Sequence, residues 1–136
     1  MQTKDFDISD VLSVTTGSLV AERGMEGIYD IMGWMTQDPG ITTLGLLAQS
    51  QPCKDALLSQ HPELVGVEVP DWDSFVPVEA SREQELEIKK REIDYWLTEQ
   101  AEIYGRMLSV EQINVAFKDD LEIFYDVRVN GVDYTK

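Results

Sequence analysis

One cysteine and one histidine are all the thiol and imidazole chemistry the chain offers, and 11 Lys+Arg stand against 26 Asp+Glu in 136 residues. A lone Cys excludes an intrachain disulfide, and together with a lone His it leaves too few ligands for a zinc site. No metal and no cofactor are therefore expected. The net charge of −15 argues against binding nucleic acid directly or an anionic membrane, because phosphate contacts need Lys and Arg. No apolar run approaches the roughly 20 residues that span a bilayer. The acidic start, Met1 to Asp7, lacks the apolar segment of a secretory signal, and a free Cys suits a reducing cytosol. Gly24-Met25-Glu26-Gly27 fits neither a Walker A loop nor a dinucleotide fingerprint, and no nucleophile elbow, kinase or zinc-hydrolase motif is present.

What is present is a chain that is 43% hydrophobic, too apolar for a disordered acidic tail. Its length suits one domain that buries about two-thirds of the surface of its unfolded chain. The charge is unevenly placed. Residues 1–40 and 41–80 carry −5 each, residues 81–110 carry −2 and residues 111–136 carry −3. Between Arg23 and Arg82 a single base, Lys54, interrupts Glu26, Asp30, Asp38, Asp55, Glu63, Glu68, Asp71, Asp73 and Glu79. Such a field repels nucleic acid and steers basic surfaces toward it; the plainer reading is a solvated face that aids solubility.

Periodicity predicts an α+β domain: short N-terminal helices and one long helix, then a small C-terminal antiparallel three-stranded sheet. Its parts are a helical stretch over 1–64, an ordered loop over 65–80, a long helix over 81–108 and a β-meander over 112–136. A first helix over Asp10–Thr16 takes Ser9 or Asp7 as cap and stops at Gly17, although Val14, Thr15 and Thr16 would also suit a strand. A second covers Met25–Thr36, where Gly27 and Gly33 imply close approach of another backbone. A third opens at Thr42 or Thr43 and is divided at Pro52. Ser81-Arg82-Glu83-Gln84 has the form of a capping box. In the long helix that follows, Glu85–Lys89, Glu87–Arg91 and Glu102–Arg106 are spaced for i,i+4 ion pairs. At about 42 Å that helix is long for a small domain, so its charge-dense first half is expected to project. Asn130-Gly131 is a hairpin signal for the C-terminal meander.

The candidates for chemistry are few. With so many acids, any two can be paired on paper into a general acid and base, which gives no pair distinction. Asp71-Trp72-Asp73 lacks the glycine and distal glutamate of a calcium loop. Cys53 and His61 are the only thiol–imidazole pair, but eight positions apart on a helix they would lie about 12 Å from one another, so a buried structural Cys is the better reading. Catalysis is not expected. Trp72, Phe75, Tyr95, Trp96 and Tyr104 could instead form a partner-binding surface, since Trp and Tyr are enriched at interface hot spots. Trp96 and Tyr104 belong to the apolar stripe of the long helix, whereas Tyr95 lies just off it.

Asp7-Ile8-Ser9-Asp10-Val11-Leu12-Ser13-Val14-Thr15-Thr16-Gly17, then Gly24-Met25-Glu26-Gly27-Ile28-Tyr29-Asp30-Ile31-Met32 and Met35-Thr36, resembles a group of small tailed-bacteriophage proteins of unknown function. Cys53…Ala56-Leu57-Leu58…Gln60-His61-Pro62-Glu63-Leu64 is similar too, as is Trp96-Leu97-Thr98-Glu99-Gln100 followed by Tyr104-Gly105. The resemblance implies a phage source, and hence the bacterial host cytoplasm, but no chemistry. Phages encode many compact proteins that occupy host surfaces. The expectation is a non-enzymatic inhibitor of a host defence or nucleic-acid-handling complex, of the anti-CRISPR type, acting as a DNA mimic. Its partner would be a host protein with a basic surface. The residues expected to meet it are Glu26, Asp30, Asp38, Glu63, Glu68, Asp71, Trp72, Asp73, Glu79 and Tyr95. The alternative is a virion or replication accessory protein, without inhibitory role, that forms a homodimer through the long helix.

Overall fold

Asp7 ends a strand and starts a helix at once. In a computed structural model, which describes residues 2–113, strand β1 (Thr3–Asp7) runs directly into helix α1 (Ile8–Thr16). The Asp7 carboxylate accepts from the Ser9 amide at 2.8 Å as N-cap, which satisfies one of the orphan donors of a helix start. Gly17, at φ 77°, closes the helix, and a left-handed backbone of that kind is readily adopted by glycine. The helical alternative of the first segment is thus the observed one.

Helix α2 (Met25–Met35) follows, and its two glycines are close-contact points of different kinds. The Asp38 carbonyl lies against Gly33, 3.1 Å from where a Cβ would stand, which is the expected approach of backbone. Gly27 instead receives the carboxylate of Asp10. Helix α3 (Thr43–Gln60) starts at the Thr42 cap and runs without a break through Pro52. The expected division at Pro52 is therefore wrong. A proline inside a helix costs about 3 kcal/mol, but Leu46, Gln49, Cys53 and Leu57 form one continuous buried stripe across it, and burial of that stripe outweighs the lost hydrogen bond.

Helix α4 spans Arg82–Tyr104, four residues short of the expected end. Gly105, at φ 100°, turns the chain, and Met107 and Leu108 belong to strand β2 (Met107–Glu111) rather than to the helical stripe. Alternation in β2 buries Leu108 and Val110. Among the described residues the sheet is two-stranded and antiparallel, with Phe6 opposite Leu108 and Asp7 opposite Met107. The α+β class is therefore observed, but the described sheet joins the N-terminal strand to residues 107–111 instead of forming a three-stranded C-terminal unit. The meander expected over 112–136 lies, apart from Gln112 and Ile113, outside the described residues.

The core gathers Ile8, Val11, Leu12, Ile31, Met35, Cys53, Leu57, Leu64 and Val110, each 1% exposed or less. Polar contacts lock β2 to the helices. Gln60 bonds both ways with the Glu111 backbone, and the Ile113 amide donates to the Met35 carbonyl at 2.7 Å. No helix among the described residues is long and apolar enough to cross a membrane.

Candidate functional site

The segment from His61 to Ala80 carries six of the ten residues expected to meet a partner, and its sequence explains its shape. Short 3-10 turns at Pro62–Leu64 and Trp72–Phe75 fold it over the body. Leu64 is buried, and Val67, Val69 and Trp72 are half-buried against the core. Trp72 meets Trp96 of α4 edge-on, with centroids 6.0 Å apart, a favoured aromatic geometry. Between these anchors Glu63, Glu68, Asp71, Asp73 and Glu79 are exposed. The result is an apolar-pinned, acid-studded strap.

Its charges are sparsely neutralised. Asp73 pairs with Lys89 of α4 at 2.6 Å, and Glu63 stands 3.5 Å from the His61 Nδ1. Among the described residues Glu68, Asp71 and Glu79 have no ion-pair partner; Asp71 accepts from the Asp73 amide and so caps its own turn. The other four expected residues lie elsewhere. Glu26 is exposed on α2, and Asp30 there is spent on Arg23. Asp38 accepts from the Gly40 amide in the following turn. Tyr95 is exposed on α4, as its place off the stripe implied.

Beneath the strap runs an open cleft of about 450 Å³, lined by Thr15 and Thr16 of α1, Lys54 and Leu58 of α3, and Leu64 to Val69 of the strap, Val65 excepted. Lys54 and Glu68 both face it, yet no ion pair joins them. Of the cleft residues, only Glu68 is among those the sequence marks for a partner. The isolation of Lys54 among acids is the one legible signal, and nothing in the sequence ties it to Thr15 or Thr16.

Cys53 and His61 do not form a catalytic pair. Cys53 is fully buried, and burial pushes its thiol pKa up to about 12, far from the thiolate that nucleophilic chemistry requires. The His61 Nε2 is 2.6 Å from the Ser109 carbonyl, so the ring ties the end of α3 to β2. Among the described residues no group of three or more His, Cys, Asp or Glu side chains is arranged to hold a metal ion.

Two arginines organise the other end of the body. Arg106 reaches Asp7 at 2.6 Å and Glu22 at 2.9 Å, so the expected Glu102–Arg106 pair is not made. Arg23 joins Asp10, at 3.0 Å, to Asp30. Asp10 is 2% exposed, and its second oxygen, the one against Gly27, has no hydrogen-bond partner among the described residues. Burial raises the Asp10 pKa in spite of Arg23. Burial also acts to raise Asp7, but the hydrogen bonds from Ser9 and Arg106 outweigh it and hold Asp7 below its ordinary value.

A family model described as a domain of unknown function (DUF7736) matches residues 6–67. That span takes in α1, α2, α3 and seven of the nine cleft residues, and it ends before Trp72 and α4. No curated protein and no solved structure matches the chain.

Proposed function

We propose that the chain is a non-enzymatic binding protein that sets the acidic strap on a basic surface of a partner protein. The partner in this reading is a host defence or nucleic-acid-handling complex, occupied by a phage-encoded inhibitor of the anti-CRISPR type. One observation carries the reading: Glu63, Glu68, Asp71, Asp73 and Glu79 are held outward on backbone that Leu64, Val67, Val69 and Trp72 pin to the core. A display ordered in advance loses little conformational entropy on docking, and its field speeds encounter with a basic surface. Tyr95 and Trp72 would add aromatic contact at its edge.

The test is capture from host lysate at low and at high salt, with E68Q/E79Q beside the wild type. Neither residue has an ion-pair partner among the described residues, so the fold should be untouched. A basic partner retained at low salt, released at high salt and lost from the variant is the expected result. Failure to retain any basic nucleic-acid-handling protein at low ionic strength would sink the reading. A second reading, an accessory protein that works as an oligomer through α4, is favoured by charges on that helix which its own neighbours leave unused.

A further inference from the structure

The outer face of α4 carries a groove lined by Glu87, Lys90, Arg91, Asp94, Tyr95 and Thr98. These six residues are two neighbouring i,i+4 rows of one helix, Glu87–Arg91–Tyr95 and Lys90–Asp94–Thr98. Rows of this kind are the ridges that a second helix packs against. Opposite charges stand at i,i+4 spacing in both rows, where they could satisfy each other within the helix. They do not. Among the described residues Glu87, Lys90 and Asp94 have no ion-pair partner, and Arg91 reaches only its chain neighbour Glu92, at 3.4 Å. Lower down the same helix the Glu85–Lys89 pair does close, at 2.9 Å, so the helix geometry permits such pairs and leaves these two open.

We propose that a second copy of this chain packs antiparallel on this groove about a two-fold axis. In that arrangement each row faces the same row of the partner run in reverse. Glu87 of one copy then meets Arg91 of the other, and Lys90 meets Asp94, each contact occurring twice. Crossing at about 50°, the class in which i,i+4 ridges of both helices align, brings both sets together at once. The pattern is self-complementary, as a two-fold interface requires. Tyr95, 62% exposed, supplies apolar contact at the end of its row. Charge also favours this place over the acidic strap. Two chains of −15 repel each other, but residues 81–110 carry only −2. The proposal deepens the oligomer reading and is independent of the acidic strap, whose capture assay neither tests it nor is tested by it.

The experiment is light scattering on the full chain over a concentration series up to about 1 mM in roughly 0.15 M salt, where distant charges are screened and contacting ones are not. Wild type should approach twice the chain mass. E87K sets an ammonium group against Arg91 of the second copy, and R91E sets a second carboxylate against its Glu87. Each variant alone should therefore associate at least about tenfold more weakly. An equimolar mixture of the two should recover dimer, because both cross-contacts are again of opposite sign. Circular dichroism of each variant keeps loss of helix separate from loss of contact. A wild type that stays monomeric throughout overturns the proposal. So does association that is indifferent to E87K and R91E, or variants that stay apart when mixed.

Discussion

Eight of the nine residues of α1 are buried, whereas none of residues 82–95 of α4 is. The two regions share one chain and are held by different physics. The body around α1, α2 and α3 is fixed by apolar burial, worth about 25 cal/mol per Å² removed from water. The first half of α4 is fixed by devices internal to the helix, the Ser81–Gln84 capping box and the Glu85–Lys89 pair, and by the hook of Asp73 on Lys89. A region that contributes little to the core is free to present its surface, and the proposed two-fold contact lies on this one.

The sharpest separation comes from leucines in the two places. Leu57 is fully buried, and L57A should lower stability by about 2–5 kcal/mol. Leu86 continues the core stripe of α4 but is 53% exposed, and L86A should change stability by no more than about 0.5 kcal/mol. Urea midpoints of the two variants measure the contrast. Equal losses would mean that the start of α4 is as much core as α3.

Within the body, the buried carboxylate should make R23A costly. Removing the guanidinium leaves Asp10 buried with neither oxygen partnered among the described residues; Arg23 is itself nearly half exposed, so a loss of about 1–3 kcal/mol at neutral pH is expected. The dependence on pH has opposite signs at the two aspartates. Asp10, raised in the folded state, holds its proton more tightly there than in the unfolded chain, so it favours folding increasingly as pH falls toward 3.8. Asp7, lowered in the folded state, contributes stability that is present above 3.8 and is lost as pH falls below it. D10N should therefore lower acid stability relative to neutral stability, and D7N, which keeps a good capping residue, should do the reverse. Denaturant midpoints from neutral pH downward test both; the same sign for the two variants would contradict the assignment of their environments.

What is legible in the sequence is local. Asp7 as one of two cap candidates, the Gly17 stop, Thr42 as one of two candidate starts and the capping box at Ser81 are each legible within four residues, and each is observed, with α1 starting two residues before the expected Asp10. The close approach at Gly33 is nearly as local, since the carbonyl against it belongs to Asp38 in the turn that follows the same helix. What is not legible depends on distant partners. Thr3–Asp7 has no strand signature of its own and becomes β1 only by pairing with residues 107–111, a hundred positions away. Met107 and Leu108 fit the helical stripe in spacing, and the break at Gly105 with burial of Leu108 and Val110 decides otherwise. Pro52 misleads because the local cost of a proline is visible in a sequence and the burial that offsets it is not. At the candidate site the acids can be located from the sequence. Their division into neutralised Asp30 and Asp73 and, among the described residues, unpaired Glu68 and Glu79 cannot, because Arg23 and Lys89 come from other elements.

The smallest effect expected is at the cap of α4. The Ser81 hydroxyl accepts from the Gln84 amide at 3.1 Å, and the Gln84 side chain accepts from the Ser81 amide at 2.9 Å, both in solvent. S81A should cost about 1 kcal/mol of helix stability. Because residues 82–95 include no buried side chain, that loss should appear as fraying of the first turns rather than as a matching fall in global stability. Amide exchange would then speed up over the first turns of α4 and stay unchanged at Leu12 or Leu57. Fraying that reaches Glu87 would also loosen the two-fold contact, whereas the acidic strap, held by Leu64 and Trp72, should be unaffected. If S81A instead speeds exchange in α1 and α3 alike, the start of α4 and the body unfold as one unit, and the division between them fails at its weakest point.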